Sequence, residues 1–185
     1  MMPKEENKCD KPTTESKLCG VWKEWIILRP INIALDLYSA AVCMILFCYL
    51  TFGRRRKDRM RQCFNGMCLF NFGMAIGDIP NWAFEGFKKP WYPAALWIGT
   101  MIFWICSSFM LLAFTGYLIE YLSPKVKVHK NFRIAVVILC LFHLAGILLS
   151  VWNGMFFTIT PDNIYQRGDW FLLSQMLPFS IYVLD

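Results

Sequence analysis

An all-α bundle of membrane-spanning helices is the fold class the sequence predicts, and three observations predict it. Four apolar runs, roughly Pro30–Phe52, Cys63–Phe84, Ala95–Leu122 and Ile134–Trp152, recur along the chain. Each holds the ~18–20 mostly apolar residues that cross a ~30 Å hydrocarbon core at ~1.5 Å per residue. Short polar or charged loops separate them. The composition, 57% hydrophobic and only 17% charged, leaves too little polar surface to hide four such helices in a water-soluble fold of 185 residues.

A fifth run, Trp170–Asp185, is 16 residues long and as a helix would reach only ~24 Å. It would stop inside the bilayer with the Asp185 side chain and a terminal carboxylate, a costly place for charge. The chain therefore reads as the front part of a longer protein. The expected architecture is a polytopic bundle of four full spans plus an incomplete fifth over residues 30–185, preceded by a polar tail over 1–29.

The first 20 residues are polar and lack the apolar core of a signal peptide. Val21–Leu28 suits the membrane interface, with Trp22 and Trp25 as anchors. Pro30 is a good first helical residue, and Gly53 ends the first run before the basic stretch Arg54–Arg61. In the second run Gly66, Gly73 and Gly77 share one face, where a neighbouring helix can approach closely. Pro80 should kink that helix or open its last turn. Trp91 and Tyr92 suit headgroup level in the next loop. Ser123-Pro124 ends the third run, and Thr160-Pro161-Asp162-Asn163 reads as a turn after the fourth.

Loop charges set an orientation. Residues 54–62 carry six Lys/Arg and residues 123–133 carry four. The opposite side counts six: Lys17, Lys23 and Arg29 before the first run, then Lys88, Lys89 and Arg167. The positive-inside rule then puts the N-terminus outside the plasma membrane and the two basic loops in the cytoplasm. The net charge of +6 comes largely from the Arg54–Arg61 stretch, so it is a topology signal and not a nucleic-acid footprint.

No catalytic constellation, phosphate loop or metal-ligand spacing is present, and no cofactor is implied. Six of the eight cysteines lie within or beside the runs and read as small apolar fillers. Cys9 and Cys19 share the tail and can form a disulfide if it is oxidised. His143 stands alone in the fourth run and reads as a hydrogen-bonded packing residue. Glu120 suits a salt bridge to the nearby basic loops.

Two carboxylates carry the functional reading. Asp36 and Asp78 each lie about six residues inside the same end of antiparallel runs, at a depth of ~9 Å. Carboxylates are costly inside a membrane and point to a functional site, so a polar pocket opening outward is expected near Asp36, Asp78 and Trp82, with Arg167 either capping it by pairing with Asp36 or Asp78 or binding lipid phosphate instead. The competing reading is a water-filled funnel, or simple hydrogen bonds to Asn32 or Asn81.

The stretches Trp152–Ile159 (WNGMFFTI) and Asn163–Ser174 (NIYQRGDWFLLS), with Phe70–Gly86 and Phe114–Leu122, resemble the membrane regions of multi-span bacterial sensors. In those proteins five to seven spans feed a cytoplasmic histidine kinase-type domain or a GGDEF diguanylate cyclase. The resemblance implies a sensory input domain, itself not an enzyme, coupled to a cytoplasmic effector in cis or in trans. The bilayer is then the other partner, and a homodimer is left open. A small transporter or channel is the alternative, though the inner halves of the first and fourth runs are almost wholly apolar. A membrane scaffold without a ligand is the third reading.

Overall fold

A computed structural model describes residues 14–53, 58–87, 89–122 and 130–172. The pairing of Cys9 with Cys19 and nearly all of the fifth run lie outside the described residues. Four helices follow in order, α1 (Thr14–Phe52), α2 (Arg59–Phe84), α3 (Tyr92–Leu122) and α4 (Lys130–Asn153). A two-stranded antiparallel hairpin closes the described chain, with β1 at Phe157–Ile159 and β2 at Tyr165–Arg167.

One expectation about the helices needs correction, and a second is met in part. α1 does not begin at Pro30: it starts at Thr14 and runs unbroken through the proline. The residues before Pro30 include Glu, Lys, Leu, Trp and Ile, which tolerate helix well, and a proline removes one backbone donor without obliging the helix to stop. The tail boundary at residue 29 is therefore not a structural break, although the apolar stretch itself does begin at Leu28. Second, three helices and not four are long and apolar enough to cross a membrane: Leu28–Phe52, Tyr92–Leu122 and Asn131–Asn153. α2 has the length, 26 residues, but Asn65, Asn71, Asp78 and Asn81 dilute its apolar character.

The remaining apolar surface points outward. Leu35, Tyr38, Ile45 and Tyr49 of α1, with Ile138, Leu141, Phe142 and Leu148 of α4, are all exposed. Contiguous apolar faces of this size are not left in water by monomeric soluble proteins, and hydrocarbon is the solvent that suits them. Three helices that could each cross a membrane fit a multi-pass membrane protein.

Neighbouring helices are antiparallel. Asn71 Nδ2 donates to Cys43 Sγ at 3.3 Å and Asn65 Nδ2 to Thr51 Oγ1 at 3.1 Å, pairing α2 with α1. On its other side α2 meets α3 through Phe64 with Tyr117 and Phe70 with Phe109. The small-residue stripe lies along this α2–α3 seam. A Cβ added at Gly66 would sit 3.5 Å from Ala113 Cβ, at Gly73 2.5 Å from Cys106 Sγ, and at Gly77 2.7 Å from the Phe103 backbone nitrogen. Pro80 lies within α2 and packs over Gly99.

α3 and α4 are joined by a buried polar contact. Ser108 Oγ donates to the Trp104 carbonyl at 3.1 Å and lies 2.9 Å from His143 Nδ1. A hydroxyl has one proton to give, so Nδ1 carries the imidazole proton and the serine oxygen accepts it. Nε2 is buried with no partner among the described residues. Ser108→Ala should orphan the Nδ1 proton and cost ~1–3 kcal/mol. In a His143→Phe background the same change should cost much less. Thermal unfolding in detergent across this double-mutant cycle measures the difference, and equal losses in both backgrounds would mean the pair is not coupled. At the end away from the hairpin, Arg59 Nη1 lies 3.9 Å from Glu120 Oε1, and Arg61 bonds the Leu50 and Gly53 carbonyls that end α1.

Candidate functional site: a cavity under the hairpin

The segment after α4 folds because its polar groups find local partners. Ser150, fully buried, accepts from the backbone N–H groups of Phe156 and Phe157 at 2.9 and 3.1 Å and donates to the Phe157 carbonyl at 3.2 Å. Phe157 is driven against Trp104 of α3, with ring planes 7° apart and centroids at 6.3 Å. At the hairpin tip the Asn163 N–H bonds the Thr160 carbonyl at 2.9 Å. Asn163 adopts φ +60°, a left-handed conformation that Asn tolerates better than most residues.

Asn163 then clips the hairpin to the far end of α2. Its Nδ2 donates to the Phe84 carbonyl at 2.7 Å and to the Phe87 carbonyl at 3.2 Å. Its own carbonyl accepts from the Gly86 N–H at 2.8 Å. Beside it, Glu85 Oε1 accepts from the Tyr165 N–H at 3.0 Å, and Arg29 Nη2 donates to the Glu85 carbonyl at 2.6 Å. Thus α1, the α2–α3 loop and the hairpin meet at one point.

Beneath this clip lies a cavity of about 460 Å3. Asp78, Asn81, Glu85, Thr100 and Arg167 supply its polar groups. Trp82, Phe103, Trp104, Tyr165 and Phe171 supply its aromatic walls. The Asp78 carboxylate is fixed within α2, accepting from Asn81 Nδ2 at 3.2 Å and from Trp82 Nε1 at 3.0 Å. Thr100 Oγ1 donates to Asn81 Oδ1 at 2.9 Å and extends the chain to α3. The Arg167 guanidinium lies over the Phe171 ring, 4.6 Å from its centroid, an arrangement that stabilises a cation without neutralising it.

Electrostatics make the cavity two-signed. Burial pushes the Glu85 carboxyl above its ordinary range, partly offset by the Tyr165 N–H bond and the Arg29 charge. Burial also pushes the Tyr165 phenol up, with a hydrogen bond to Trp104 pulling it back. Among the described residues no salt bridge joins Arg167 to Asp36 or Asp78. Acidic oxygens on the α2 side and a guanidinium on the hairpin therefore face a largely aromatic space, suited to a small charged guest.

Of the four residues singled out in the sequence, Asp78, Trp82 and Arg167 line this cavity. Asp36 does not line it. The register that pairs Asn71 with Cys43 brings Asp78, seven residues after Asn71, level with Asp36, seven residues before Cys43, near enough for the two charges to interact. Asp36 Oδ2 is buried without a hydrogen-bond partner among the described residues. Among the described residues no group of three or more His, Cys, Asp or Glu converges to hold a metal. Glu85, Thr100, Trp104 and Tyr165 were not anticipated, because nothing local in the sequence ties a loop glutamate to a strand 80 residues away. No protein-family model matches the chain, and neither a curated protein nor a solved structure matches it.

Proposed function

We propose that the chain is a membrane-embedded sensory input domain that takes a small charged molecule from the extracytoplasmic side and relays its binding to a cytoplasmic effector. The observation that carries this reading is the hairpin-capped cavity, where Asp78, Glu85 and Arg167 share an aromatic enclosure. In this reading all four helices cross the plasma membrane. α2 can do so despite its polar residues because Asn65, Asn71 and Asn81 bond to α1 or α3, which lowers the penalty of polar groups in lipid, although Asn65 Oδ1 has no partner among the described residues. The N-terminus and the hairpin lie outside, and the basic loops inside. An occupant touching both α2 and the hairpin favours one arrangement of the two over another, and that differential contact is what a relay requires.

Trp82 and Trp104 in the cavity wall provide the readout. Titrating the purified chain with a panel of amino acids, amines and short peptides should give a saturable change in tryptophan emission for at least one of them. Asp78→Asn and Arg167→Gln should each weaken that binding about tenfold or more, the size expected for losing a charge-assisted bond. A saturable signal unchanged in both variants would place the ligand elsewhere. Flux of the bound molecule through proteoliposomes would favour a transporter instead.

A further inference from the structure

At the other end of the bundle a second cavity, about 320 Å3, opens between α2, α3 and α4. Its rim and floor differ in chemistry. Arg59 and Gln62 from the first turn of α2, with Arg133 from the first turn of α4, form the rim. Leu112, the buried Val136 and the exposed Val137 form an apolar floor that opens to one side. Two helix N-termini thus end at one opening, and their aligned peptide dipoles add positive potential to that of the two guanidinium groups. Glu120, which itself lines the cavity, and the C-terminal turn of α3 offset part of this charge. Arg133 makes no salt bridge among the described residues, and it is exposed. We propose that this cavity is a binding site for one anionic phospholipid, with the headgroup phosphate between Arg59 and Arg133 and an acyl chain against Leu112, Val136 and Val137.

The observations favour a lipid over a soluble phosphate for two reasons. The floor is apolar and would gain nothing from a free anion, whereas acyl methylenes bury surface there. The basic rim also sits where helices end, at headgroup level in a bilayer, and basic pockets between helices at that level suit anionic headgroups. Arginine is the better residue for this task because its planar fork meets phosphate oxygens two at a time. This site stands on different residues from the hairpin cavity, so either can fail without the other.

The test uses the full chain in detergent micelles, titrated with phosphatidylglycerol and read by native mass spectrometry. About one tightly held lipid per chain is expected. Arg133→Gln, at an exposed position, should lower apparent affinity about tenfold. Val137→Trp should do the same by filling the floor while leaving every charge in place. Inorganic phosphate, the probe for a soluble ligand, should not displace the lipid at millimolar concentration. Equal lipid retention by the parent chain and both variants would overturn the proposal. So would displacement by phosphate alone together with indifference to Val137→Trp, since the site would then read a free anion.

Discussion

Gly77→Ala will loosen the α2–α3 seam and lower the melting midpoint, while the same substitution at Gly66, on the same helix face, will be neutral or mildly stabilising. A Cβ at Gly77 would lie 2.7 Å from the Phe103 nitrogen and 2.8 Å from the Gly99 carbonyl oxygen. Both are backbone atoms, so neither can rotate away and the helices must separate. Overpacking of this kind costs ~1–3 kcal/mol or more, against a gain of ~1 kcal/mol from better helix propensity. Repulsion wins at Gly77, and the net loss should be about 1–2 kcal/mol, or ~2–8 °C in a chain of this size. At Gly66 the nearest atom, Ala113 Cβ, is 3.5 Å away, an ordinary contact, so propensity wins. Gly73 should fall between, because its obstacle is the Cys106 thiol, a side chain that can turn. Melting curves of the three alanine variants in detergent check the order, and equal effects at Gly66 and Gly77 would contradict the seam.

Asn163→Ala should release the hairpin from the rest of the bundle. The substitution deletes both Nδ2 bonds to the Phe84 and Phe87 carbonyls and forces an alanine into φ +60°. Two lost bonds at ~1 kcal/mol each and ~1 kcal/mol or more of left-handed strain give about 3 kcal/mol. Asn163→Gly keeps the backbone conformation and loses only the bonds, so it should cost less. The loss is local, and it should appear as faster amide exchange at Phe157 and Tyr165 with little change in α3. Because Tyr165 and Arg167 wall the cavity, ligand-induced tryptophan changes should fade in the same order, parent, Gly, Ala. A glycine variant as impaired as alanine would remove backbone strain from the explanation.

How much of this was legible in the sequence depends on the range of the interaction. Helix positions were legible because apolar runs have a length set by the bilayer and loops have a charge set by topology. The glycine face of α2 was legible because helical periodicity alone puts Gly66, Gly73 and Gly77 on one side. Asp78 and Arg167 drew attention through their rarity in apolar surroundings. The start of α1 is not legible because Pro30 suits a first helical position, while the preceding residues favour helix on their own. The hairpin was missed for a different reason. Its strands are three residues each, too short for alternation to register, and they are held by Ser150 below and by the α2–α3 loop beside them. Asn163 was visible as a turn residue, yet its bonds reach 79 residues back to Phe84. Likewise Glu85 gains its role only when Tyr165 arrives beside it. Sequence separation of that size leaves no local pattern to read.

The most direct test of the central claim asks which side of the membrane the hairpin cavity faces. Gln166 is exposed on β2, next to the cavity residues Tyr165 and Arg167. A Gln166→Cys variant, in a chain whose native cysteines are replaced by serine or alanine, can be treated with a membrane-impermeant maleimide on intact cells. Labelling of intact cells, with none at a cysteine placed at Arg133 in the same background, is the result an outward-facing sensory cavity requires. Labelling at Gln166→Cys only after lysis would put the cavity on the cytoplasmic side, and an extracytoplasmic signal could not reach it.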